Sequence, residues 1–270
     1  SLIKVEYDVL EPVVDVESSM GERAPILLKT TITSSPRSKK FDSTNIVGDC
    51  EFLRGDIDTG FDKADVVVET KYRTKTVHQG YIEPQSATAL WSENDKQLKI
   101  WCSNQGHFSV RNEMSALLEI PVSSIKVIPM EIGGGFGGKN TIYGEPVAIR
   151  LSQMTGRPVR MVMTRSEEFR ASGPTVGSRS RIRMGAKNNG TITAAEATIH
   201  YQAGAFKGSP IGRAVETFFS SYTIANIKVD SFDVCVNRPK VAAYRAPGAP
   251  MACFPAENAI NELAEKIGMD

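Results

Sequence analysis

The chain has 270 residues, with 32 Lys+Arg against 31 Asp+Glu, a formal net charge of +1 and 41% hydrophobic residues. Near-balanced, interspersed charge argues against a general nucleic-acid binder and against an electrostatic membrane anchor. Ordinary hydrophobic content excludes disorder, no run of about 18 apolar residues offers a membrane span, and the length suffices for one large domain or two modest ones.

Residues 1–36 open on the alternating Ser1-Leu2-Ile3-Lys4-Val5-Glu6-Tyr7, which reads as a strand, and end on the linker-like Ser34-Ser35-Pro36. Polar residues 37–49 read as loop. A Val-rich strand is expected over 64–74, and a strand pair over 87–91 and 98–101 around the turn Glu93-Asn94-Asp95. Residues 108–118 predict a helix with Phe108, Met114, Leu117 and Leu118 on one face, followed by an apolar strand over 125–130. A glycine loop spans 133–138. A helix over 145–156 has Pro146 in its first turn and Gly156 at its end, and a strand follows over 158–164. Residues 179–200 read as a hairpin whose turn, Asn188-Asn189-Gly190, needs positive φ. A helix over 211–219, a strand over 227–236 and an amphipathic helix over 250–267 complete the series. No initiator Met opens the chain and Gly268 stops its last helix, so a piece of a longer polypeptide is expected. No secretory leader is visible, and a cytoplasmic location is expected.

Cys50, Cys102, Cys235 and Cys253 are far apart, with no C-x-x-C pair. Iron–sulfur or structural zinc ligation by this chain would need clustered ligands, so four reduced, mostly buried thiols are expected. The order helix, strand, loop, helix occurs around Ile125-Lys126-Val127 and again around Ile227-Lys228-Val229, about 100 residues later, which hints at an internal duplication with two related loops.

Gly133-Gly134-Gly135-Phe136-Gly137-Gly138-Lys139-Asn140 follows a strand and precedes a helix. Glycine in that density loses much entropy on folding, so the backbone must approach something closely. A dinucleotide fingerprint fits Gly133, Gly135 and Gly138 but lacks the acidic residue about 20 positions on. A phosphate loop fits Gly133, Gly138 and Lys139, but Asn140 stands where Ser or Thr would hold magnesium. The third possibility is another cofactor loop, with Phe136 as a wedge and backbone N–H groups offered to anionic or oxo ligands.

I-G-G-G-F-G-G-K resembles the glycine loop of the xanthine dehydrogenase and aldehyde oxidase family of molybdenum hydroxylases. Glu83-Pro84, Trp101-Cys102-Ser103-Asn104-Gln105, Thr155-Gly156-Arg157-Pro158-Val159-Arg160, Ala243-Tyr244-Arg245-Ala246-Pro247-Gly248 and the helix after it are similar to further motifs of that family, in family order. The resemblance implies an α+β fold: mixed sheets with packed helices and repeated strand–Gly loop–helix units. It implies that residues 1–36 end an upstream hammerhead-like domain and its linker. Residues 37–270 would then be the first molybdopterin-binding lobe, without its C-terminal partner lobe. The implied chemistry is hydroxylation of an aldehyde, N-heterocycle or purine-like substrate with water as oxygen source.

Site residues follow from the same resemblance. Gln105 would offer its amide to a ligand of the molybdenum; Gly134, Gly135, Phe136 and Gly137 would meet the pterin and the metal ligands. Arg245 and Ala246 would position cofactor or substrate, and Arg213 aligns with an arginine that stabilises substrate charge in purine-oxidising members. Asn140 replaces the Glu of those members and cannot titrate, which weakens a preference for xanthine; Pro247 replaces an aromatic, and Ala246 replaces the cysteine of the carbon monoxide branch. His78 and His107 read as packing groups, and Lys139 as the loop's polar edge. The implied cofactor is molybdenum–molybdopterin, in the plain or cytosine dinucleotide form, held without direct protein ligands to the metal. Iron–sulfur clusters, FAD and the catalytic glutamate would lie on other domains or subunits, leaving this chain inactive alone. A nucleotide-binding protein using the Gly133–Gly138 loop and a non-catalytic or assembly homologue are the alternatives.

Overall fold

The computed structural model describes residues 3–28 and 45–270, which form two compact units. One comprises the residues up to Arg73, Ser178–Arg238 and Pro255–Asp270; the other comprises Thr74–Gly177 and Pro239–Phe254. The fold is α+β, with one mixed sheet in each unit.

The first unit holds strands β1 (Ile46–Arg54), β2 (Val66–Thr74), β7 (Ser178–Ala186), β8 (Ile192–Gly204) and β9 (Asn226–Cys235), in the order β1-β9-β8-β7-β2. The hairpin β7–β8 turns at Gly190, whose φ of 86° meets the sequence requirement. Central β8 buries one face through Ala195, Ala197, Ile199 and Tyr201, while Glu196, Thr198, His200 and Gln202 on the other are half-buried. Helices α1 (Val16–Met20), α2 (Ile57–Asp62) and α6 (Ile211–Thr217) belong to this unit.

The second unit holds β3 (Ser86–Ser92), β4 (Gln97–Cys102), β5 (Ile125–Pro129) and β6 (Val159–Val162), ordered β5-β4-β3-β6. Helices α3 (His107–Leu118), α4 (Glu145–Thr155) and α5 (Arg165–Ala171) lie in it, and α7 (Ala249–Ile267) begins in it. Its core joins Ala87, Ala89, Leu98 and Ile100 of the sheet to Val110 and Met114 of α3 and Ala148 and Ile149 of α4. Gly156 stops α4 with φ 64°, and a Thr164–Glu167 capping box starts α5.

The duplication runs deeper than two strands. In each sheet an antiparallel hairpin (β3–β4, β7–β8) is followed by a helix (α3, α6). A strand parallel to the hairpin's second member comes next (β5, β9), then a loop and a helix (α4, α7). Parallel pairing brings the C-terminal ends of β4 and β5 side by side, with Cys102 opposite Pro129. The segments leaving those two ends, 103–106 and 130–140, are the ones that carry Gln105 and the glycine loop.

Four expectations need correction. Residues 3–14 contain no strand; Ile3, Tyr7, Val9 and Leu10 are exposed, and alternation alone makes no strand without a ladder partner. Residues 46–49 are not loop but the start of β1, where Ile46 and Val47 are buried and Ile46 pairs with Val234; residues 1–2 and 29–44 lie outside the described residues. On α3 the buried face is Val110–Met114, while Phe108 and Leu117 are exposed. All four cysteines are free, but only Cys102 and Cys235 are fully buried. Among the described residues no helix is long and apolar enough to cross a membrane.

His200 on β8 stacks on Phe232 of β9 at 5.0 Å, and burial lowers its pKa from 6.5 to about 4. The unfolded chain therefore takes up the proton first, so this contribution is complete above pH 6.5 and is lost as pH falls towards 4. The full difference corresponds to about 3 kcal/mol. His200→Phe should flatten that part of the stability profile, measured as the wild-type-minus-variant unfolding free energy between pH 7 and pH 4; a pH-independent difference would contradict it.

Candidate functional site

The glycine loop is shaped by close approach to its own protein. A Cβ at Gly135 would sit 2.6 Å from Gln105 Oε1, and one at Gly137 would sit 2.8 Å from the carbonyl oxygen of Ala243. Gly137 also holds φ 101°. Phe136 takes the left-handed region at φ 51°, an uncommon conformation for an aromatic residue, and its ring is 51% exposed.

Gln105 is fixed by this loop. Its Oε1 accepts from the N–H of Gly137 at 2.9 Å and of Lys139 at 3.2 Å. Its own N–H donates to Lys139 O at 2.8 Å. Two backbone donors on one side assign the carboxamide: the oxygen is consumed by the loop, and the NH2 is the part left to donate outward. Asn104, fully buried, shapes the approach by accepting from Gly106 N at 2.7 Å.

Lys139 is not at a polar edge. It is fully buried, with Nζ 2.6 Å from Glu83 Oε2 and 5.0 Å from the centre of the Tyr81 ring. The same Glu83 oxygen accepts from Gly133 N at 2.8 Å. Partial burial pushes the Glu83 carboxyl up, but the bonds from Lys139 and Gly133 outweigh it and hold the group below its ordinary range. One carboxylate thus grips the first glycine and the residue after the last.

Behind this grip lies a second polar layer. Buried Glu168 accepts from Tyr81 Oη and, at 2.7 Å, from Gln85 N. Gln85 Nε2 donates to Tyr81 Oη at 3.1 Å and to Gly138 O at 3.3 Å. His78 bonds Ser172 Oγ at 2.8 Å and packs on Tyr81 and Phe169; burial lowers its pKa despite nearby Glu168. Arg165 donates to the carbonyls of Tyr81 and Ile82.

The 243–248 loop lies directly against the glycine loop, since Arg245 N donates to Phe136 O at 2.8 Å. Gln79 Nε2 donates to Ala243 O at 2.8 Å and to Gly173 O at 3.1 Å. Ala246 sits at φ 57°. The Arg245 side chain is exposed, as is Asn140. Gln105, Gly134, Gly135, Phe136, Gly137, Asn140, Arg245 and Ala246 therefore all belong to one unit. Arg213 belongs to the other, on α6, where Glu216 engages it at 2.7 Å.

Sequence reasoning missed Glu83 as a loop anchor, together with Lys139, Gln79 and Glu168. The one available signal was Lys139 itself, a cation inside a glycine run with an acidic residue in the neighbouring motif. Among the described residues no group of three or more His, Cys, Asp or Glu is placed to hold a metal ion. The outward groups are donors: the Gln105 amide, the Arg245 guanidinium and the loop's backbone. The nearest carboxylate, Glu83, is neutralised by Lys139. Such a set fits an anionic, oxygen- or sulfur-bearing group held by donors rather than a bare cation held by carboxylates.

Comparison with known proteins gives the same identification. Residues 39–270 match the molybdopterin cofactor-binding domain. The chain is 29% identical to the nicotinate dehydrogenase large molybdopterin subunit of Eubacterium barkeri, over 99% of its own length and 60% of that subunit. It is 31% identical to the aldehyde oxidoreductase molybdenum-binding subunit PaoC of Escherichia coli, over 80% of its length and 29% of that subunit. Quinoline 2-oxidoreductase from Pseudomonas putida 86 superposes with a TM-score of 0.85 at 25% identity, covering all of this chain and 34% of that one. The chain thus spans from 29% to 60% of the length of these relatives.

Two glycine substitutions separate strain from displacement. Gly135→Ala meets the end of the Gln105 side chain, which can turn aside at the loss of its bonds to the loop and should cost about 1 kcal/mol, whereas Gly137→Ala meets fixed backbone at positive φ and should cost about 2–3 kcal/mol. Urea midpoints check the ranking; a reversed order would show that the loop is held differently.

Proposed function

We propose that this chain, which belongs to the molybdopterin cofactor-binding domain family, forms one wall of the active site of a molybdenum hydroxylase. One observation carries the reading: the Gln105 carboxamide has its oxygen locked by two loop N–H groups, so only its NH2 faces outward. A neutral donor held that rigidly suits an oxo or sulfido group without adding charge. When bound, the molybdenum–molybdopterin would supply the redox chemistry that hydroxylates carbon with oxygen from water.

The chain's own residues hold and orient. The Gly134–Gly137 backbone and exposed Phe136 ring form the floor, Arg245 and the Ala246 turn form the neighbouring edge, and Gln105 donates between them. None of the outward side chains is a free carboxylate, so the proton acceptor comes from elsewhere in the full protein, and residues 1–270 alone should turn nothing over. In this reading 1–36 end an upstream domain and 37–270 form the first cofactor lobe. Iron–sulfur clusters and FAD lie on partner domains or subunits, and the cofactor is the plain or the cytosine dinucleotide form.

Neutral Asn140 favours an aldehyde or an N-heterocycle over xanthine. Relatives named for nicotinate, quinoline and aldehydes fit that class, whereas relatives named for hypoxanthine and xanthine do not, so the preference rests on Asn140. Arg213, engaged by Glu216, is the weakest of the inherited assignments.

The full-length parent, purified with its subunits, should carry near-stoichiometric molybdenum by elemental analysis; none, from cells that load a control enzyme, would sink the reading in favour of an assembly homologue. Gln105→Leu should lower kcat by roughly 10- to 1000-fold while molybdenum stays bound. Asn140→Glu should raise kcat/KM for purines relative to aldehydes by about tenfold; an unchanged ratio would remove Asn140 from substrate selection.

A further inference from the structure

We propose that Glu83 and Lys139 are positioning residues that set the direction of the Gln105 amide. The inference rests on the reading above and adds two residues to it. Glu83 Oε2 bonds Gly133 N at 2.8 Å and Lys139 Nζ at 2.6 Å, so it closes the loop at both ends. Lys139 has no other carboxylate partner among the described residues, and its side chain is fully buried. Its ammonium therefore stays where Glu83 is, and its backbone stays with it.

That backbone meets Gln105 twice. Lys139 N donates to Gln105 Oε1 at 3.2 Å, and Lys139 O accepts from Gln105 N at 2.8 Å. The remaining donor to the carboxamide oxygen, Gly137 N, lies two residues back within the stapled segment. If the staple opens, both donors to Oε1 move and the carboxamide is free to rotate. Its outward NH2 is then no longer guaranteed. Tyr81 backs the arrangement with its ring under the ammonium. Glu83 itself need not touch cofactor or substrate, because its two bonds on that oxygen are spent within the loop.

The test uses the full-length protein with its subunits and compares wild type, Glu83→Gln, Gln105→Leu and the double variant Glu83→Leu/Lys139→Met. Glu83→Gln leaves a buried charge uncompensated and risks misfolding. The double variant replaces the pair by apolar residues of similar volume and keeps the test alive. Four readouts are taken: molybdenum content, steady-state kcat and KM, the electron paramagnetic resonance spectrum of the reduced protein, and amide exchange across 133–139.

Glu83→Gln and the double variant should retain molybdenum and exchange the Gly137 and Lys139 amides about tenfold faster. Their resonance spectra should shift towards that of Gln105→Leu, and kcat should fall roughly 10- to 100-fold with KM little changed. Adding Gln105→Leu to either should shift the spectrum no further, because the pair acts through that amide. Wild-type exchange and spectrum in the double variant, or effects that add to those of Gln105→Leu, would overturn the proposal. Absence of molybdenum from the wild type would sink the functional reading instead; the exchange rates would then decide the staple alone.

Discussion

A buried ammonium is costly unless a carboxylate and further contacts compensate it. Lys139 is fully buried at the end of the glycine run, and Glu83 is the group that makes this possible. Everything distinctive about the site hangs from that pair. Glu83 fixes where the loop starts, Lys139 fixes where it ends, and the intervening glycines follow the path between. Phe136 is held at positive φ within that path, and the carbonyl of the same residue receives Arg245 N from the second loop. The second polar layer of Tyr81, Gln85 and Glu168 then keeps the Glu83 segment from drifting.

Sheet topology explains why these groups meet at all. Gln105 and the glycine loop are separated by a helix and a strand in sequence, yet both leave C-terminal ends of adjacent parallel strands. A parallel connection through α3 places such ends on one edge of the sheet, where open α/β sheets gather ligand-binding loops. The β7–β9 copy repeats hairpin, helix and parallel strand, and the loop leaving β9 is the one that carries Arg245. The two loops have diverged: the one after β5 relies on glycines, the one after β9 on Arg245-Ala246-Pro247-Gly248.

Much of this was legible in the sequence, and the failures share a cause. Helix α4 was bounded by Pro146 and Gly156, and the β7–β8 turn by Gly190, because those residues act locally through φ. Gln105, Phe136 and Arg245 were singled out as motif members, not through any pattern of spacing, and hydrogen bonds bring all three together at the glycine loop. What was misread depended on partners distant in sequence. Lys139 looked solvated because lysine usually is, and only Glu83, 56 residues away, reverses that. The start of β1 looked like loop because its polar residues hide a strand defined by β9. On α3, periodicity grouped Phe108 and Leu117 with Met114, and packing buries Val110 and Met114 instead.

The charge arrangement carries one further consequence for the chemistry. Gln105 and Arg245 offer hydrogen-bond donors, and Glu83 is already paired with Lys139, so these residues favour negative charge beside them. Asn140 keeps this character where a glutamate would break it. With asparagine the exposed side chains gathered there, Gln105, Asn140 and Arg245, are neutral or cationic, so an anionic group meets no fixed like charge from them.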